Sequence, residues 1–274
     1  MAGSFYQRFQ TLTFMTDVWF LVSVTGLVMA VSVLCLGIVR KVYGHSFMAK
    51  HNEVAGFIYA VVGVIYAVLL AFVVIVEWEM FRDADSRVQE EVQCMASVLR
   101  DMQVFDEPQK SLVSKEIVNY TNIVINEEWA LMAKEETSEK AVKSIARIFT
   151  LVTEIKPANE HQKIWYQEII SRLNNFYNAR NHRVQAAKEG IPDFMWSVMI
   201  VGAIITIGFS FLFGMENLWA QSFMVASLAG IITLVLLLIV ALDHPYSGII
   251  IVTPEAFVDQ LARIKYYLAI QKIL

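Results

Sequence analysis

GFIYAVVGVIYAVLLAFVVIVEWEMFRDAD, Gly56 to Asp85, has no charged side chain before Glu77 and then meets Glu79, Arg82, Asp83 and Asp85 in quick succession. No glycine or proline separates the two regimes. A hydrocarbon core of about 30 Å takes about 20 apolar residues at about 1.5 Å each. The stretch therefore predicts a membrane-spanning helix that runs unbroken into an acidic, water-facing continuation. A span that feeds directly into a polar helix makes the chain a membrane protein with a helical domain grown from its spans.

Working outward, three further segments are long and apolar enough to cross, giving spans at 18–39, 54–76, 194–215 and 218–242. Of the 274 residues 57% are hydrophobic and 18% charged, with a mean hydropathy of +0.51, a balance that excludes an ordinary soluble domain. The net charge of −4 offers no basic patch for nucleic acid. Trp19, Trp78, Trp196 and Trp219 fall near span ends, where indole rings favour the headgroup layer. The first span follows Asp17 and the aromatic Phe5, Tyr6, Phe9 and Phe14, exceeds a signal-peptide core in length, and is expected to be retained. Cys35 and Cys94 lie in different environments, so no mutual disulfide is expected.

The expected organisation is an N-terminal hairpin over 1–76, a helical extramembrane domain over 77–193, a C-terminal hairpin over 194–242 and a tail over 243–274. Pro108, Pro157 and Pro192 divide the central domain into helices, since proline inside a helix costs about 3 kcal/mol. The first continues the second span to about Val104. The next starts with Asp106 as N-cap and runs to about Lys134. A third is capped by Thr137 or Ser138, and a fourth covers about 159–189 with Ile169, Leu173, Phe176 and Val184 on its apolar face. In the tail, Thr253 is the expected cap of a helix whose apolar face is Phe257, Leu261, Ile264 and Leu268; its own domain, a second subunit and the bilayer surface are the surfaces open to it.

An even number of spans puts the termini and the central domain on one side. Arg40, Lys41 and Lys50 make the first loop denser in positive charge than the N-terminal tail with its Arg8, so the loop reads as cytoplasmic; Arg82, Arg87, Arg180, Arg183 and Lys188 pull the other way. Enzyme chemistry finds no support: there is no phosphate loop, dinucleotide fingerprint, nucleophile elbow or zinc-helix motif. No cofactor or metal site is expected. His45, His51, His161, His182 and His244 are scattered, and the pairs Glu90–Glu91, Glu127–Glu128 and Glu135–Glu136 read as solvated faces. Polar residues within the spans are few (Ser23, Thr25, Ser32, Thr206, Ser210, Ser227 and Thr233), which disfavours secondary transport.

Two faces of the second span carry the functional reading. Gly56, Ala60, Gly63, Ala67 and Ala71 form a small-residue strip that lets helices approach closely in lipid. On another face stand Val61, Ile65, Leu69, Phe72 and Val76, and the same line at 3.6 residues per turn reaches Glu79 and Asp83. In a symmetric ring this line would form an apolar constriction and then acidic rings that attract cations. Alternatively, the apolar line faces lipid and the acids are the first solvated turns of an emerging helix.

The order of spans, the segment YAVLLAFVVIVEWEMFRDA and the DHPYSG after the fourth span resemble the bestrophin-like family of bacterial membrane proteins. More distantly the chain is similar to bestrophin ion channels. The resemblance implies a homopentameric channel of a bacterial plasma membrane whose second helix lines the pore. Val61, Ile65 and Leu69 would be its neck, Trp78 the tryptophan at the membrane exit, and the helical domain cytoplasmic. HPYSGIIIV lacks the acidic run that clasps calcium in animal bestrophins, so no such clasp is expected. Its partners are then the lipid bilayer, further copies of the chain and inorganic ions, with cations favoured and anions open. A non-conducting scaffold or sensor, using the helical domain to bind a partner, is the other class.

Overall fold

The computed structural model describes residues 2–44, 49 and 52–271, with side chains described within 18–44, 49 and 52–266. His45, Lys50 and His51, and the side chains of Phe5, Tyr6, Arg8, Phe9, Phe14, Asp17 and Leu268, lie outside the described residues. The described residues are all-helical apart from turns and loops, and the chain divides into two compact units, Met1–Trp78 with Ile191–Asp243 and Glu79–Gly190 with His244–Leu274.

The first unit holds α1 (Ala2–Tyr43), the beginning of α2 (Asn52–Asp101), α7 (Asp193–Ser210) and α8 (Leu218–Asp243), four helices long and apolar enough to cross a membrane. On α2, Tyr66, Leu70 and Val73 are buried and meet Met199 and Ala203 of α7 and Ile232 and Ile239 of α8 in one cluster. The Tyr66 hydroxyl donates to the Met199 carbonyl at 2.9 Å, satisfying the one polar atom the ring carries into this apolar layer. Gly202 is required there, because a Cβ would stand 2.6 Å from the Tyr66 ring. α1 packs along α8 through Thr25, Met29, Ser32 and Leu36. Three hydroxyls inside the spans bond their own helix, Ser32 to Val28 O, Thr206 to Gly202 O and Thr233 to Ala229 O, whereas the buried Thr25 Oγ1 has no hydrogen-bond partner among the described residues.

α7 stops at Ser210, short of residue 215 where hydropathy placed the span's end. Phe211, Leu212 and Phe213 count as apolar whether helical or not, while Phe211 and Leu212 already bond three residues back, to Gly208 and Phe209. Trp196 packs against the cluster, whereas Trp19, Trp78 and Trp219 are exposed.

The second unit contains the rest of α2, a 3₁₀ turn at Met102–Val104, α3 (Gln109–Ile123), a π turn at Val124–Glu128, α4 (Trp129–Met132), α5 (Glu139–Thr153), α6 (Glu160–Ala186) and α9 (Glu255–Gln271). Ser138 caps α5 by accepting from Ala141 N at 3.3 Å, and Asn159 caps α6 by accepting from Gln162 N at 2.8 Å. Asp106 does not cap α3: it lies two residues too early, Pro108 holds the cap position, and Glu107 Oε2 accepts from Ser111 N instead. Pro254, not Thr253, bounds α9, its carbonyl accepting from Val258 N at 3.1 Å. Phe257 and Ile264 of α9 join the core built by Met95, Ile117, Ile148 and Leu173, so the tail covers its own domain's helices. Cys35 and Cys94 are free thiols.

Candidate pore helix and a buried charge cluster

The long helix α2 turns different faces to different surroundings. With Tyr66, Leu70 and Val73 directed into its own bundle, Val61, Ile65, Phe72 and Val76 are left 59%, 65%, 64% and 49% exposed. Leu69, at the flank of that line, is partly buried against the bundle. Ala60, Ala67 and Ala71 of the small-residue strip are also exposed; a Cβ on Gly63 would meet nothing within 4 Å, and one on Gly56 only the Phe213 ring at 4.0 Å. Close approach of α2 inside the chain therefore uses Gly202 of α7 opposite Tyr66, and the strip is left for surroundings outside the chain.

The acids divide in the same way. Glu79 and Asp83 are exposed, but Asp83 bonds Arg87 at 3.2 Å and Arg87 reaches Glu90 at 3.1 Å, so part of the acidic charge is compensated along the helix. Glu90, exposed and two turns beyond Asp83, continues the line; its seven-residue spacing was the available signal. Glu77, the first acid after the apolar run, turns inward. It lies on the face of Tyr66, Leu70 and Val73 at 3% exposure, its Oε2 has no hydrogen-bond partner, and Asp243 is close enough to repel it.

The second unit encloses a charge cluster whose acids, Glu91 and Glu128, belong to pairs expected on solvated faces. Glu91 and Glu128 are fully buried, while their neighbours Glu90 and Glu127 face outward, as the 100° step between adjacent helical residues requires. Arg183 Nε donates to Glu91 at 2.6 Å and its Nη2 to Glu128 at 2.7 Å; Arg180 donates to the other oxygen of Glu128, and the Tyr120 hydroxyl to Glu91. The π turn carries Glu128 into this contact, and Glu127 remains outside on Lys140 and Ser138. The Arg183 guanidinium lies over the rings of Trp129 at 5.4 Å and Phe257 at 5.5 Å, which ties the tail to the cluster. Two acids and two arginines cancel, so burial is tolerated. Burial, and then Glu91, push the Tyr120 phenol well above its ordinary value. Burial works against the Arg183 charge, but Glu91, Tyr120 and Glu128 together hold it firmly protonated.

Periodicity carries a trace of this cluster, because Ile169, Leu173 and Phe176 lead at helical spacing to Arg180 and Arg183 on the buried face. Val184, expected there, is half-buried. Among the described residues no group of three His, Cys, Asp or Glu side chains could hold a metal ion.

Four membrane-crossing helices and a helical unit threaded by the second of them define a multi-pass, all-helical membrane protein. The family model of the bestrophin-like domain matches residues 26–257, and the chain belongs to that family. A crystal structure of a bacterial bestrophin homologue from Klebsiella pneumoniae is similar with a TM-score of 0.67 and 11% identity, covering 87% of this chain and 96% of that one. A mutant bestrophin homologue from the same organism gives 0.68 and 11%, covering 88% and 97%. At such identity the likeness concerns the fold. No curated protein matches the sequence. Family and fold together support an ion channel of the bestrophin type.

Proposed function

We propose that the protein is a homopentameric ion channel of a bacterial plasma membrane, with α2 lining a central pore. Val61, Ile65 and Leu69 form the neck, Phe72 and Val76 continue its apolar wall, and Glu79 and Asp83 draw cations to the mouth. The observation that carries this reading is the apolar face of α2: its own bundle packs the Tyr66 face and leaves Ile65 65% exposed, in a family of channel-type fold. Leu69, leaning into the bundle, contributes less of its side chain to the neck than Val61 or Ile65. Because Arg87 pairs with both Asp83 and Glu90, the preference for cations over anions is modest and rests chiefly on Glu79.

The test is ion flux into liposomes carrying the purified oligomer, in sodium and chloride gradients, with Ile65→Ala beside wild type. A neck side chain cut to alanine widens and wets the constriction, so flux rises while the oligomer persists. If neither protein conducts and both stay assembled, the α2 face is a lipid or packing face. The helical domain then serves a scaffold or sensor.

A further inference from the structure

Among the described residues of the first unit, a half-open cavity of about 460 Å³ lies between the start of α2, the end of α7 and the start of α8, within the common size range of ligand pockets. Tyr59, Phe213, Met224 and Leu228 supply much of its wall. Three polar residues also line it, and each is already bonded within the chain. Asn52 clasps Gly214, donating to its carbonyl at 2.8 Å and accepting from its N–H at 2.9 Å. Ser210 donates to the Ile207 carbonyl, and Gln221 accepts from Arg40 while donating to the Phe213 carbonyl. Apart from the Tyr59 hydroxyl the wall presents carbon, and an ordered water needs about 2–4 polar partners, more than that one group offers. Aromatic rings and flexible thioethers suit a hydrocarbon occupant.

At the polar end of the cavity stands a cation. Arg40, in the last turn of α1, donates from Nη1 to Gln221 at 2.8 Å and from Nη2 to the Glu216 carbonyl at 3.0 Å, and makes no ion pair among the described residues. A guanidinium has five N–H donors, so three remain for an anion, and Lys41 follows it on the surface. The four helices are membrane spans, so the molecule that meets a carbon-lined cavity beneath an arginine is a lipid.

We propose that this cavity is a binding site for an anionic phospholipid, one acyl chain entering between Tyr59, Phe213 and Leu228 and the phosphate resting on Arg40. The lipid then borders the α7–α8 loop that Asn52 and Arg40 hold through Gly214 and Glu216. The site depends on the membrane fold and not on conduction.

The experiment is native mass spectrometry of the detergent-purified oligomer, delipidated and offered phosphatidylglycerol or phosphatidylcholine. Wild type is expected to retain phosphatidylglycerol selectively, Arg40→Gln to lose that selectivity, Arg40→Lys to keep part of it, and Leu228→Trp, which fills the cavity, to retain neither lipid. Equal retention by all four proteins would overturn the site. As a readout free of variants, wild type in vesicles of phosphatidylglycerol with a photoreactive acyl chain should be labelled at Met224, Met215 or Leu228. Labelling spread evenly over the spans counts against the site. So does Met224→Cys cross-linking efficiently to another copy with no lipid retained, which assigns the cavity to a subunit contact.

Discussion

Glu77 and Glu79 stand two residues apart on one helix and meet opposite environments. Glu79 is solvated, whereas Glu77 is buried with an unpartnered oxygen and Asp243 beside it, while Asp243 itself accepts the Ile191 N–H at 2.6 Å. A buried carboxylate without a cation is destabilising by several kcal/mol. Glu77→Gln keeps the shape and removes the charge, so the melting temperature of the purified protein rises at mildly alkaline pH; each kcal/mol is worth about 2–4 °C at this chain length. An unchanged or lower value would mean that Glu77 is held by a favourable partner. Arg183 poses the reverse case. Arg183→Ala strands Glu91 and leaves Glu128 with Arg180 alone inside the second unit, where breaking a buried pair costs about 3–5 kcal/mol, so little monodisperse protein should survive size-exclusion chromatography. Arg183→Lys rescues poorly, because an ammonium cannot reproduce the donor fork that spans both acids.

At the scale of elements, the question is which glycine lets α2 pack. Gly202→Leu drives a side chain into the Tyr66 ring and should unfold the first unit, seen as loss of the helical signal and of expression. Gly63→Leu meets nothing inside the chain. Its helical content stays native while the oligomer dissociates, if the strip left open by the chain's own bundle is where the proposed oligomer packs another copy. A Gly63→Leu oligomer of unchanged mass would place the strip against lipid. The spans were legible because about 20 apolar residues between charges admit few other readings in a chain this apolar. Helix ends were less so. Hydropathy cannot distinguish the last turn of α7 from the apolar loop after it, and a cap depends on which backbone N–H groups a side chain reaches, as the contrast between Ser138 and Asp106 shows.

For the whole molecule, the proposed function rests on what surrounds the exposed faces of α2. Glu79→Gln combined with Asp83→Asn lowers the cation preference read from the reversal potential, and adding Glu90→Gln lowers it further. A reversal potential indifferent to all three removes the acidic line from the pore. The apolar line itself was legible from periodicity, because Val61, Ile65, Phe72 and Val76 share a face by helical geometry alone. Their environment was not, since the same spacing suits lipid, a pore or a packed core. The charge cluster was hidden for the opposite reason: Glu91, Glu128, Arg180 and Arg183 come from separated helices, and single acids and arginines on amphipathic helices look solvated until those helices meet.

The sequence by itself determined the membrane class, the four spans, the helical continuation of the second and the faces of that helix, because apolar length and helical period are local properties of a chain. Only the tertiary structure decided that Glu77 turns inward, that Gly202 rather than Gly63 admits the Tyr66 ring, that Leu69 leans into the bundle, and that the tail closes over Arg183. Each depends on which helix lies opposite, a contact between residues far apart in the chain that no local period encodes.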